Sequence, residues 1–551
     1  MIADKLRELL EEGLQGLRDD HVIADHVRPE IEITRPQRLD HGDFSTNLSL
    51  IAAKNANMPP RQFAESLLRR LPQSPLVIKA EVAGPGFINL FLDGSWLYET
   101  ISSIRQQKGA FGRSAKPSGR KVQVEFVSAN PNGPLHVGSG RNAALGDAIA
   151  RLLAAAGDDV SREYYVNDTG TQIELFARSL EARYMQALGM QAAVPEGGYE
   201  GDYLIPLGKQ LAEKEGMGLI GKIDQIAIWG VDMMLASHRG TLERLGIEFD
   251  SWFSEKTLHD DGKVDAAIER LRELDLAYEK EGAVWFAGTK IGASRDQVLV
   301  RSDEGASPTY LAKDIAYLID KVERGFDKTL YVWGADHHGN VETLTKAAEA
   351  LELQDVIEVE LYQLVTFTSG GETARMRRRA GTIVDLDELI DEVGPDATRF
   401  TLVSRSSDIA FEFDLEQVKA RSMENPVYYV QYQHARTCSI LRYATEQAIA
   451  QVAPEATESL VRLTHESETF LMRKLSEFPE VVLEAAKLRA PHRVVHYCQA
   501  LASLFSAFYR DCRVMSDDDE LTQARLALTD ATRQVLADSL DLIGVSAPEQ
   551  M

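Results

Sequence analysis

The chain has 551 residues, 44% of them hydrophobic and 26% charged, which is the composition of a soluble globular protein too long for one core, and its length suggests about three or four domains. The formal net charge of −25 argues against a general nucleic-acid coat protein, although a local basic surface would still serve an RNA substrate. The three cysteines, Cys438, Cys498 and Cys512, contain no C-x-x-C pair, so neither a disulfide framework nor a thiolate zinc site is supported. No stretch approaches about 18 uninterrupted apolar residues, and the first twenty residues read as an acidic amphipathic helix instead of a signal sequence, so a cytoplasmic protein without a membrane partner is expected.

Residues 1–110 read as a small α+β domain. Leu6, Leu9, Leu10, Leu14 and Leu17 recur at helical spacing, Pro59-Pro60 opens a second helix with Phe63, Leu67, Leu68 and Leu71, and strands are expected over 77–82 and 87–92. Two phrases stand out here, HGDFSTN at 41–47 and AGPGFIN at 83–89, before a polar link over 106–120.

Residues 118–360 read as a nucleotide-binding body with an insertion at about 170–300. Its first segment, 121–157, alternates apolar and polar residues over 121–128, as a strand does, and carries Ala144, Leu145, Ala148, Ile149, Leu152 and Leu153 at helical spacing from Arg141 onward. The loop between holds His136, Gly138, Ser139 and Gly140. A helix start offers free N–H groups and partial positive charge, and glycines let a phosphate come close, so this turn is a candidate polyphosphate site, though neither G-x-G-x-x-G nor a P-loop is present. A strand at 164–168, a helix over 171–188, a Gly- and Glu-rich loop at 189–201, helices over 205–245 and an alternating pair over 284–300 follow. Strands separated by long helical pieces suggest a parallel sheet with crossovers.

In PTYLAKD, 308–314, Tyr310 and Asp314 are four apart and share one face if the segment is helical. LYVWGADHHG, 330–339, reads as a buried strand whose carboxyl end carries Asp336, His337 and His338, where open α/β sheets bind ligands. A metal reading of that trio meets the objection that neighbouring residues of a strand point to opposite faces. Residues 361–420 include GGETARMRRRAGT, 370–382, with four arginines about Met376, which would make a flexible cationic clamp. Residues 421–551 are helical by pattern, beginning NPVYYVQYQHAR at 425–436.

The phrase PLHVG at the strand-to-helix turn resembles the "HIGH" signature of class I aminoacyl-tRNA synthetases, and EFVSANP at 125–131 resembles the arginyl members. HGDFSTN and AGPGFIN are similar to the N-terminal domain of that family, 370–382 occupies the place of the "KMSKS" loop, and the end of the chain resembles the helical anticodon-binding domain. The resemblance covers nearly the whole chain in order, to bacterial-type arginyl-tRNA synthetases. It implies a Rossmann-like parallel-sheet catalytic domain with an insertion, a small α+β N-terminal domain that touches the tRNA elbow, and an all-α anticodon-binding domain. The implied reaction joins L-arginine and ATP to arginyl adenylate, then transfers the arginyl group to tRNA(Arg), in a mostly monomeric family.

Carried over by motif, Glu125 and Asn130 would hold the α-ammonium end of arginine, Tyr310 and Asp314 would read the guanidinium, and Asp336 and His337 would lie near the amino acid or ribose. Ser128, Pro134, His136, Gly138, Ser139, His337, Met376 and Arg378 would bind ATP, with His136, Ser139, Arg375 and Arg378 acting on its phosphates and Mg²⁺ accompanying it as part of the substrate. No protein-bound structural metal is implied. Phe87 and Asn89 would contact a D-loop base, and Tyr432, His434 and Arg436 the anticodon. The chain departs from the family pattern at Ser139, where the last histidine of H-x-G-H usually stands, and in its second loop, where Arg377 holds the serine position. Two other readings stay open on the residues themselves: a tRNA-binding relative used for regulation, and a metal phosphoesterase built on Asp-His-His.

Overall fold

The computed structural model describes residues 2–36, 38–302, 307–369, 372–373 and 385–551. They fold into two compact units, one of residues 1–106, 450–476 and 512–528, the other of 107–449, 477–511 and 529–551.

The first unit holds a three-stranded antiparallel sheet with Phe87–Leu92 between Phe44–Thr46 and Val77–Ala83. The helix Ile2–Asp19 buries Leu6, Leu10, Leu14 and Leu17 and packs on the helix Pro60–Arg70, which buries Phe63 and Leu67. Both helices therefore present the apolar faces that their spacing predicts. In the same unit Glu468, buried on the helix Glu466–Ser476, is paired with Arg525 at 2.7 Å.

The second unit is built on a five-stranded sheet, in spatial order Ile357–Tyr362, Lys328–Gly334, Lys121–Glu125, Asp159–Val166 and Ser251–Ser254. Every pairing is parallel. The strand Lys121–Glu125, first in the sequence, lies in the middle, with later strands added on one side and then on the other. A crevice opens at such a reversal, beyond the carboxyl ends of the strands, between the loops after Glu125 and after Gly334. A second, three-stranded antiparallel sheet joins Ala277–Lys280, Ala283–Phe286 and Gln297–Val300, one strand more than the alternating pair expected. The helical insertion has its own core of Phe176, Leu180, Tyr184, Leu204, Leu211 and Ile226.

Two local expectations are corrected. The first strand ends at Glu125, not 128, because Val127 and Ser128 adopt positive φ of 66° and 43°, which turns the chain out of the sheet. A β-branched residue in that region is strained and needs support from its surroundings. The helix after the turn begins at Val137, not Arg141, because His136 caps it.

Candidate functional site

His136 Nδ1 accepts a hydrogen bond from the Ser139 backbone N–H at 3.3 Å, the role usually filled by Ser or Asp at a helix N-cap. Burial pushes the His136 imidazole below its usual pKa, against the opposing pull of Asp385, so the ring is neutral at pH 7. With Nδ1 accepting, its proton sits on Nε2. The glycines also have packing reasons. A Cβ at 138 would meet the His136 ring at 2.7 Å, and one at 140 would meet Leu386 Cδ1 at 2.8 Å. The glycines expected to let a phosphate come close thus also avoid these two contacts. Ser139 is buried, and a backbone bond from Leu386 N to Leu135 O at 2.9 Å, with a bridge between His136 and Asp385, sets the residues after 384 beside this turn.

The strained turn at Val127 is held by Asn142, a residue that sequence reasoning missed. Its Oδ1 accepts from Val127 N at 2.6 Å while its Nδ2 donates to Val332 O at 2.9 Å, so one amide ties the two strands that flank the crevice. Farther along the loop, Asn130 donates to Gln172 Oε1 at 3.0 Å and Asn132 to Tyr199 Oη at 2.8 Å. Buried His238 contacts Gly133 O through Nε2 at 2.7 Å and Tyr164 Oη through Nδ1 at 3.0 Å.

The register of the sheet sets Tyr331, Glu125 and Glu163 side by side. Two adjacent buried carboxylates demand cations, and the neighbouring helix Tyr310–Glu323 and its C-cap supply them. Lys321, with a fully buried side chain, pairs with Glu125 Oε2 at 2.7 Å, and Arg324 pairs with Glu163 at 2.6 Å. Glu125 Oε1 also accepts from Ser128 Oγ at 3.1 Å. Tyr310, Asp314, Tyr317 and Lys321 form a stripe at helical spacing, a polar signal that could have identified Tyr317 and Lys321 beside the two residues recognised.

Tyr310 and Asp314 line a cavity of about 360 Å³ together with Gln297, Thr309, Leu311 and Asn340. Among the described residues no hydrogen bond reaches the Asp314 carboxylate. Burial raises its pKa to about 7, with the Glu125 and Glu255 carboxylates adding to the rise and Lys321 and Lys313 opposing it. Glu255, also missed, is almost wholly buried and accepts from Tyr165 Oη at 2.8 Å, from Thr169 Oγ1, and from Lys313 Nζ at 2.7 Å. No sequence pattern marks Glu255, which only the fold brings close to Asp314.

Asp336 and His337 stand exposed in a short 3-10 turn after the strand Lys328–Gly334, 3.8 Å apart, and the next helix begins at His338. The objection to a metal from strand alternation therefore does not apply to them. Among the described residues, however, no three His, Cys, Asp or Glu side chains gather as a metal group. Ser128 and Pro134 lie in the loop over 126–136, and Gly138 in the first turn of the helix that follows it. Arg375, Met376 and Arg378 lie outside the described residues. None of the three cysteines forms a disulfide among the described residues; Cys498 and Cys512 are buried and Cys438 is half-buried.

Phe87 is 40% exposed at the edge of the turn that follows Gly84. Asn89, two residues on, is buried and accepts from Ser45 Oγ at 3.0 Å. Tyr432 and Arg436, one turn apart on the helix Pro426–Glu446, stack, with the guanidinium 4.6 Å from the ring centroid. The expected base contact by His434 is corrected: the residue is buried on another face of that helix, with Nδ1 2.9 Å from Pro548 O.

Three family models match in order: the arginyl tRNA synthetase N terminal domain over residues 3–92, the class I (R) tRNA synthetase catalytic domain over 100–195 and 234–439, and the DALR anticodon binding domain over 430–551. The arginine--tRNA ligase of Heliobacterium modesticaldum is 44% identical over 559 aligned residues, covering 100% of this chain and 99% of its own. The chain belongs to the arginyl-tRNA synthetases. As a class I member it is an arginine–tRNA ligase. A second relative, the arginine--tRNA ligase of Desulforamulus reducens, is 43% identical over 100% of this chain and 99% of its own. The fold of the synthetase is shared with a Thermus thermophilus arginyl-tRNA synthetase structure, at a TM-score of 0.76, 24% identity, and coverage of 99% of this chain and 100% of that one. No helix among the described residues is long and apolar enough to cross a membrane.

Proposed function

We propose that the crevice beyond the carboxyl ends of Lys121–Glu125 and Lys328–Gly334 activates L-arginine with ATP, and that the Tyr310–Asp314 cavity selects the amino acid. The observation that carries this assignment is a desolvated Asp314 carboxylate that lacks a hydrogen-bonding partner among the described residues, with the Glu255 carboxylate nearby. A guanidinium offers five donors in a planar fork, the one amino-acid side chain able to answer two separated carboxylates at once. Tyr310, at the helix start, would stack on that plane. Glu125, whose charge is already answered by Lys321, retains room to help Asn130 orient the α-ammonium.

In the first step an arginine carboxylate oxygen attacks the α-phosphorus of ATP, the bond to the bridging β-oxygen breaks, and pyrophosphate leaves with its Mg²⁺. Little proton transfer is needed, so the protein contributes positioning and charge stabilisation. Neutral His136 donates from Nε2 to a phosphate oxygen, and the helix start at Val137–Ser139 adds backbone N–H groups. Arg375 and Arg378, assigned from the sequence, follow charge onto pyrophosphate, and Met376 and His337 border the nucleotide. In the second step a terminal ribose hydroxyl of tRNA(Arg) attacks the arginyl carbonyl carbon and loses its proton, and AMP departs. Phe87 stacks on a base at the tRNA elbow, while Tyr432 and Arg436 offer a preformed stacking pair to the anticodon. The reading includes a cytoplasmic enzyme acting as a monomer.

ATP–pyrophosphate exchange, measured with arginine in the presence and absence of tRNA(Arg), tests the assignment. Arginine-dependent exchange is expected and its absence in both conditions defeats the reading; exchange supported equally by lysine defeats the guanidinium pocket.

A further inference from the structure

Lys313 sits one residue before Asp314 and has no place in the roles above. Its side chain is 12% exposed, and its ammonium lies 2.7 Å from Glu255 Oε1 and 5.4 Å from the centre of the Tyr310 ring. The groups that would receive a guanidinium, a carboxylate and an aromatic face, are thus already approached by a cation that belongs to the protein. Glu255 Oε2 accepts from Tyr165 Oη, and Oε1 accepts from Thr169 Oγ1 as well as from Lys313 Nζ. The nearest other cationic candidate, His259 Nε2, stands 4.0 Å from the same oxygen. The pocket therefore has an uneven charge balance. Lys321 answers Glu125, Lys313 answers Glu255, and Asp314 has no hydrogen-bonded cation.

We infer that Lys313 is a resident competitor for the guanidinium subsite, holding Glu255 until arginine displaces it, and that this exchange sharpens selection of arginine over lysine. The inference rests on the guanidinium assignment of Asp314 and Glu255 made above. The physical reason is a difference in what each ligand gains. Arginine exchanges one point-charge contact at Glu255 for a planar fork that also reaches Asp314. A lysine ligand replaces one ammonium with another at Glu255, and cannot span to Asp314 with the same group. Lys313 thus costs a lysine ligand more than arginine, because a single ammonium must evict it wholly from Glu255 whereas a fork anchored on Asp314 displaces it only in part, a discrimination built from a repulsive element. Lys313 does not touch the reacting atoms, so it acts as a positioning and specificity residue.

Equilibrium dialysis of L-arginine and of L-lysine against the intact tRNA-free enzyme tests this in the wild type, Lys313→Met, Lys313→Gln and Lys313→Arg. Removing the cation should tighten arginine binding about tenfold and lysine binding by more than that, so that the arginine-to-lysine preference falls. Lys313→Arg should restore competition and keep binding near wild type. In exchange assays with tRNA the change should appear in the KM for arginine and not in the KM for ATP. Unchanged or weaker arginine binding in Lys313→Met and in Lys313→Gln, with melting temperatures like the wild type, overturns the inference, as does an unaltered preference over lysine. Asp314→Asn separates the two levels of argument. If that variant binds arginine as the wild type does, the pocket assignment itself fails; if it loses arginine while Lys313→Met gains nothing, only the role of Lys313 fails.

Discussion

At Asp314 the folded protein keeps a carboxyl group where its charge is costly, and that cost has a sign that can be followed with pH. Its folded pKa of about 7 lies above the ordinary 3.8, so the unfolded chain loses its proton first as pH rises. The penalty on folding is absent below about pH 4, grows from there to about pH 7, and is constant above. Asp314→Asn should therefore raise the melting temperature at pH 8 and leave it unchanged at pH 4, while abolishing arginine-dependent exchange. Thermal melts at both pH values together with the exchange assay check the pair of outcomes. Ligand binding has the opposite dependence. A guanidinium favours the ionised carboxylate, so arginine binding should weaken about tenfold for each pH unit below 7, with proton release, and level off above it. Calorimetric titration in buffers of different ionisation enthalpy reads both the affinity and the released proton.

Among the elements, the strand-to-helix turn of 121–155 shows how local sequence and tertiary support divide the work. Alternation and helical spacing made the strand and the helix legible, but the ends of both were decided by contacts that the spacing does not encode. Val127 enters the left-handed region because Asn142, fifteen residues on, accepts its N–H. Asn142→Ala leaves that N–H and the Val332 carbonyl without their partner, and should cost about 2 kcal/mol of stability. It should also lower kcat/KM for exchange, because Ser128 loses its fixed position beside Glu125. Chemical denaturation and exchange kinetics on the same sample test this. Ser139, at the place where the family pattern usually has histidine, is buried under the His136 cap, a setting in which a larger side chain would have to displace its neighbours.

For the molecule as a whole, the charge of −25 makes tRNA binding depend on a few local contacts instead of a general positive field. Phe87, which we propose stacks on a base at the tRNA elbow, is an aromatic ring left exposed beside a glycine turn. Phe87→Ala should raise the KM for tRNA(Arg) roughly tenfold, the equivalent of one lost base stack, without changing tRNA-free arginine binding. Aminoacylation kinetics with varied tRNA, set beside dialysis with arginine, separates the two. An equal loss in both would place Phe87 in the stability of its unit and not at an RNA surface.

By itself the sequence determined the parallel-sheet body, the helical C-terminal region, the two helices and the paired strands of 1–92, and the Tyr310–Asp314 helix face. Each depends on periodicity or on a short local phrase, and both survive folding unchanged. Only the tertiary structure decided that Glu125 would be met by Lys321, that Glu255 would stand near Asp314 and be met by Lys313, and that His434 would turn inward to Pro548. Those pairings join residues from 58 to 196 positions apart, and no spacing in a chain records which buried charge will answer another. The Glu125 pairing follows from the register of the sheet, which sets two carboxylates side by side, and both carboxylate pairings from the cost of leaving a charge alone in a dry interior.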